Sequence, residues 1–216
     1  MLRPAIAPCI DKNAVIDKVG PGDPDKQAGK KGEFMQKQQR CNKREIKYLK
    51  KEEWEKLRDS IDSFRDMVLI ELLYESGCRV GELAKMDIQD IDFEAGFIYI
   101  PAENTKTKTA RTVYLSEGIL SKVKAYLRET RRRKGLLFRL TKRRIQQIIE
   151  THSQRSGVKC SAHTLRHSHI VHALLDKITV TAVQKQVGHK RLSTTAIYSD
   201  LAPEQVKEAY MRREIK

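Results

Sequence analysis

The chain has 216 residues, with 43 Lys and Arg against 28 Asp and Glu and a formal charge of +15; that is room for one well-buried domain and a surplus that favours a polyanionic partner, because each phosphate neutralised releases condensed counterions. No apolar run approaches the roughly 20 residues of a membrane helix, and the opening MLRPAIAPCIDKN is too short and too interrupted for a secretory signal. Cys9, Cys41, Cys78 and Cys160 are scattered with no CxxC pair, so the expectation is free thiols in a reducing cytoplasm, not a disulfide framework.

Residues 1–40 hold few large apolar side chains and several breakers, Pro21, Gly22, Pro24, Gly29 and Gly32. They are expected to form a flexible, modestly basic tail, with one domain over 41–216. Met35 is a second candidate for the start of translation. From Tyr48 the pattern turns regular: Leu49, Trp54, Leu57 and Ile61 fall on one helical face. Ser63 is placed to cap the next helix, with Asp66 three residues on. That helix carries Phe64, Met67, Val68 and Leu72, and Gly77 is its stop. A short helical turn follows over 80–85.

The period then changes. Residues 91–93, 97–100 and 111–115 read as short strands, with Gly96 in the first turn and a polar, flexible turn over 104–109. Helices resume near Glu117 (Leu120, Val123, Leu127), after Thr141 (Ile145, Ile148, Ile149) and over 163–176. Two short ones are expected at 180–187 and 194–198. A last one over 203–213 opens on a proline suited to a first turn. The order predicts an α+β domain, mostly helical, with a small three-stranded antiparallel sheet. Arg128, Arg131, Arg132, Arg133 and Lys134 form a basic cluster, read either as a solvated helix end or as a phosphate contact.

Cutting a phosphodiester without metal needs a nucleophile, positive charge on the non-bridging oxygens, and an acid for the leaving oxygen. The sequence has no Walker loop, no HExxH and no carboxylate grouping suggestive of two metals. It does offer Arg79 just after a glycine turn, lysines in a hairpin turn, His189 after a glycine, and Tyr198 near the end. His163 and Arg166 share a helix face, because residues three apart are neighbours. Cys160, His163, His167 and His172 lack the paired spacing of a zinc site.

These residues carry a resemblance. Ser76-Gly77-Cys78-Arg79-Val80-Gly81-Glu82-Leu83 resembles the first arginine box of the tyrosine recombinases, the phage-type integrase family. His163-Thr164-Leu165-Arg166-His167 is similar to their HxxR box, and 187–198, running from Val187-Gly188-His189 to Thr194-Thr195-Ala196-Ile197-Tyr198, to their final box. Order and spacing agree, including nine residues from His189 to Tyr198, and the likeness runs from Tyr48 to Leu201. It implies a catalytic domain that breaks and rejoins DNA without cofactor, ATP or metal. Tyr198 would be the nucleophile, forming a 3′-phosphotyrosyl link. Arg79 and Arg166 would grip the non-bridging oxygens. Lys106 would protonate the leaving 5′ oxygen, with Lys108 the competing choice two residues away. His163 would take the tyrosine proton and return it on religation. His189 would donate a hydrogen bond to the phosphoryl group. Glu82 is expected to orient a partner and do no chemistry. Cys78 and Val187 stand where leucine-like residues are commoner and are expected to pack all the same.

Two other readings compete. Residues 180–198, with Gly188 in the turn, suit a helix-turn-helix regulator, which leaves Arg79, the hairpin lysine and HxxR unexplained. A type IB topoisomerase-like enzyme would share the chemistry without needing a defined site. The family implies double-stranded DNA as partner, self-assembly into a tetrameric synapse, docking of 199–216 on a neighbour, and a cytoplasmic, nucleoid-associated location. The residues before Tyr48 are too few for the separate helical DNA-clamping domain such proteins usually carry. The expectation is a minimal recombinase, a fragment, or a catalytic domain served by an accessory protein.

Overall fold

In the computed structural model, residues 47–191 and Thr195 are described. The chain divides into two units, Met1–Glu45 and Ile46–Lys216, and the elements below all belong to the second. The expected tail and the helix expected at 203–213 lie outside the described residues, as does all of the helix expected at 194–198 except Thr195. Seven helices and a three-stranded antiparallel sheet make up the described part, an α+β arrangement dominated by helix.

Helix α1 (Lys51–Asp59) is shorter than its apolar face suggests. Glu53 turns back to accept the Lys50 N–H at 2.8 Å, which fixes the start, and Ser60 donates to the Leu57 carbonyl at the end. Leu49 and Ile61 therefore flank the helix, yet both reach the core with Leu57. The Leu49 N–H donates to Ser168 Oγ at 2.7 Å, tying the incoming strand of chain to a helix much later in sequence.

Helix α2 (Phe64–Ser76) opens on Ser63, whose hydroxyl accepts the Asp66 N–H, and closes on Gly77. Val68, Leu69, Ile70, Leu72 and Leu73 are buried, so this helix is surrounded. Its buried polar groups are matched: Asp66 meets Arg65 and His152, and Glu71 meets Lys122. Helix α3 (Val80–Leu83) is a single turn.

Strands β1 (Ile91–Asp92), β2 (Phe97–Ile100) and β3 (Arg111–Tyr114) lie side by side in sequence order. Ile98 pairs with Ile91 on one side and with Val113 on the other, and all three are buried. Helices α4 (Glu117–Glu129), α5 (Lys142–Ser156), α6 (Ala162–Leu175) and α7 (Val180–Val187) follow. Each begins on a Ser or Thr whose hydroxyl accepts an amide N–H of the first turn: Ser116, Thr141, Ser161 and Thr179. In the basic cluster, Arg132 is structural, donating to the Leu136 and Leu137 carbonyls.

Helix α6 is the hinge of the packing. Ala162 and Leu165 join the main core, while Ile170, Val171, Ala173 and Leu174 pack with Val183 and Val187 of α7 in a second cluster. A helix buried on both sides is a rigid mount for the side chains at its first turns.

Candidate active site

The site starts where α2 stops. Gly77 has φ +57°, and a Cβ there would come within 2.5 Å of the His169 ring, so both backbone and space demand glycine. Its carbonyl accepts from Arg166 Nη1 at 2.6 Å. Arg166 reaches it from α6, and its Nη2 donates to the Val187 carbonyl at the end of α7 at 2.8 Å. One planar guanidinium thus ties two helix ends to a third helix, with donors held in a rigid fork that an ammonium lacks. Arg166 is buried. Burial, with Arg79 and Arg111 nearby, lowers its pKa to about 10 against the pull of Glu82, so it is still a cation at neutral pH.

Arg79 caps α3. Its N–H donates to Glu82 Oε2 at 2.8 Å and its Nη1 lies 3.2 Å from Glu82 Oε1. Glu82 is buried and also receives both Nη atoms of Arg111, at 2.6 and 3.2 Å. Burial works to raise the Glu82 pKa, but the Arg111 hydrogen bonds and charge, with Arg79 behind them, hold it below the usual glutamate value. Glu82 thus bonds Arg79 and Arg111 together. Cys78 and Val187 pack without exposure, as expected.

Gly188 ends α7 with φ +72° and turns the chain into His189. Gln184 holds the turn: its carbonyl accepts the His189 N–H and its side-chain amide donates to the His189 carbonyl at 3.0 Å. The His189 ring places Nδ1 2.9 Å from the Thr195 hydroxyl. Burial, then the positive charge of Arg166 and Arg79, lowers its pKa to about 4, so the ring is neutral at neutral pH. His163 is exposed on the first turn of α6, its ring 6.3 Å from that of His167.

Lys106 is exposed in the loop between β2 and β3, next to buried Thr105. Thr105 Oγ1 donates to the Ala102 carbonyl at 2.9 Å and accepts the Thr109 N–H at 3.1 Å, so the turn has a defined hydrogen-bonded shape. Lys108 has φ +54°. Thr107, Thr109 and Arg111 face Gly188, His189 and Lys190 across a groove of about 660 Å³. Arg79, Arg166 and His189 therefore come together, with His163 one turn from Arg166 and the lysine-bearing hairpin along the groove. Tyr198 lies outside the described residues. Among the described residues no three His, Cys, Asp or Glu are placed to share a metal.

Sequence reasoning missed Arg111, read only as the first residue of a strand. Strand parity held the signal. Arg111 and buried Val113 are two apart and so share a face, and an arginine on the core face needs a carboxylate. Gln186 was missed too; its carboxamide pairs with the Tyr114 N–H and carbonyl at 3.1 and 2.8 Å, fastening α7 to β3.

The family model for phage integrases matches residues 47–205. The tyrosine recombinase XerA of Pyrococcus furiosus is 34% identical over 177 residues, covering 77% of this chain and 61% of that protein. The chain thus spans about three fifths of that relative's length. The crystal structure of the XerH site-specific recombinase bound to its difH substrate superposes with a TM-score of 0.64 at 27% identity, covering 78% of this chain and 55% of that one. The catalytic domain of bacteriophage HP1 integrase shares the fold, with a TM-score of 0.63 at 19% identity over 78% of this chain and 96% of that domain.

Proposed function

This chain belongs to the phage integrase family, and from that premise we propose that it is a site-specific DNA recombinase acting through a 3′-phosphotyrosyl intermediate on Tyr198. The observation that carries the reading is a charge imbalance: among the described residues three guanidiniums, of Arg79, Arg111 and Arg166, gather around a single carboxylate, that of Glu82. A buried excess of positive charge is expensive unless an anion completes it. A phosphodiester brings one negative charge, and the transition state of its displacement brings a second. The cluster is thus matched best to the species at the top of the barrier.

In the proposed reaction the Tyr198 oxygen attacks phosphorus and the bond to the 5′ oxygen breaks. His163 accepts the phenol proton and Lys106 supplies one to the leaving oxygen, so the 5′ hydroxyl departs neutral. Arg79 and Arg166 grip the non-bridging oxygens. His189 is neutral, and in the proposed arrangement its Nδ1 accepts from the Thr195 hydroxyl 2.9 Å away while its proton on Nε2 bonds the phosphoryl group. Religation is the reverse, and one phosphoester replaces another, so neither ATP nor metal is required. The partners proposed are double-stranded DNA, further copies of this chain in a tetrameric synapse, and a DNA-clamping domain or accessory protein. The proposed location is the nucleoid in the cytoplasm; no described helix is long and apolar enough to cross a membrane.

The test is covalent capture on nicked duplexes with randomised arms. The protein is expected to form a denaturant-resistant adduct with a selected sequence, and Tyr198→Phe none. DNA binding by both proteins with no adduct from either would replace the enzyme with a helix-turn-helix binding module. Relaxation of plasmid without a selected sequence would make it topoisomerase-like.

A further inference from the structure

Arg111 has no role in the proposed reaction, yet its side chain bonds two other elements of the site at once. Its three nitrogens serve two other elements. Nη1 and Nη2 straddle the Glu82 carboxylate at 3.2 and 2.6 Å, and Nε donates to the Gln186 carbonyl at 3.1 Å. Glu82 in turn holds Arg79 through main chain and side chain. On the other side, a Cβ on Gly188 would lie 3.0 Å from Arg111 Cδ, Nε and Nη1, so the guanidinium fills the space under the turn that presents His189. Only about 8% of the Arg111 side chain is exposed.

We propose that Arg111 is a positioning residue: by gripping Glu82 and the Gln186 carbonyl together, it sets Arg79 and His189 in fixed relation to each other and does not itself touch the phosphate. The inference rests on the recombinase reading. Its force comes from geometry. A carboxylate fork and a helix-end carbonyl are satisfied by one rigid plane, so neither α3 nor the α7 turn moves without breaking a charge-assisted bond. Lysine at this place would keep the charge and lose the fork.

The consequence is read at Glu82. The charged groups facing it are Arg79 from α3, Arg111 from β3 and Arg166 from α6, with the Cys78 thiol close by. In Arg111→Met the larger of the two guanidinium influences that hold the Glu82 carboxyl down is gone while burial remains, so its pKa is expected to rise relative to wild type. Protonation then lets Arg79 go as pH falls.

The test has two readouts. The first is the Glu82 side-chain carboxyl, titrated by NMR in wild type and Arg111→Met; the second is the pH dependence of adduct formation on the duplex selected from the randomised pool. Thermal unfolding identifies any variant that has lost its fold, and Arg111→Lys is the fallback. The expected result is a raised Glu82 pKa in the variant, with adduct formation roughly 100-fold slower than that of wild type at the same acid pH. Arg111→Met/Glu82→Gln is expected to be no slower than Glu82→Gln, because both remove one linkage. An unchanged Glu82 titration overturns the proposal, as does a raised pKa with wild-type adduct rates. If wild type forms no adduct at all, the recombinase reading fails and takes this inference with it; if wild type reacts and the variants match it, only this inference fails.

Discussion

Arg166 illustrates how much can rest on a single residue. Two of its N–H groups are committed to the Gly77 and Val187 carbonyls, and the proposed chemistry asks the same plane to meet a phosphate. Arg166→Lys is therefore expected to slow adduct formation by roughly 100-fold or more, measured on the selected duplex, while Tyr198→Phe abolishes it. A lysine variant within a fewfold of wild type would show that the fork is not needed. Histidines give the pH response. Burial first, then Arg166, lowers the His169 pKa to about 4, and His189 behaves alike. In the unfolded chain both titrate near 6.5, so between 6.5 and 4 the unfolded state binds more protons and stability falls as the solution is acidified. The thermal midpoint of wild type is expected to drop between pH 7 and pH 5 by roughly 5 °C more than that of His169→Phe; equal drops would mean the ring protonates freely in place. The sequence named the arginines and histidines because their boxes have fixed spacing. Arg111 was hidden because its partners, Glu82 and Gln186, are 29 and 75 residues away, a distance no local pattern spans.

At the scale of elements, the helix starts were legible because a hydroxyl capping an amide is a local event, as at Ser63, Thr141 and Thr179. Strands β2 and β3 were legible from alternation, and Gly77 and Gly188 from their place after apolar runs. What failed was the extent of α1. Four apolar residues share a helical face in projection, but the Glu53 to Lys50 bond starts the helix after Leu49. The single 3-10 turns at Ile88–Asp90 and Ala102–Asn104 carry no periodic signal and went unseen. The joint between α2 and α3 makes a sharp prediction. Gly77→Ala must take up a left-handed backbone, costing about 1–2 kcal/mol, and must also push the half-buried His169 ring aside. An unfolding free energy lowered by at least that amount in denaturant titration is expected, together with slower adduct formation, because the Gly77 carbonyl anchors Arg166. Unchanged stability would mean that the ring has room to yield.

For the molecule as a whole, a formal charge of +15 has a thermodynamic signature. Binding to duplex DNA, followed by fluorescence anisotropy, is expected to weaken steeply and log-linearly with salt, and Arg79→Ala to lower the slope by about one. A flat response would place the basic surface away from the duplex. The charge was plain in the composition; the concentration of its buried part around one carboxylate was not, because α3, β3 and α6 meet only in the folded chain.

The two anchors at the end of α7 are main-chain oxygens, those of Gln186 and Val187, held by guanidiniums from β3 and α6. Every amino acid brings such an oxygen. An α7 grafted from another source would dock on the same two donors provided that it keeps apolar side chains in place of Val183 and Val187, the carboxamides of Gln184 and Gln186, and a glycine after it. The outward positions of this helix are thus open to redesign, since its inward side chains and two backbone oxygens already hold it in place.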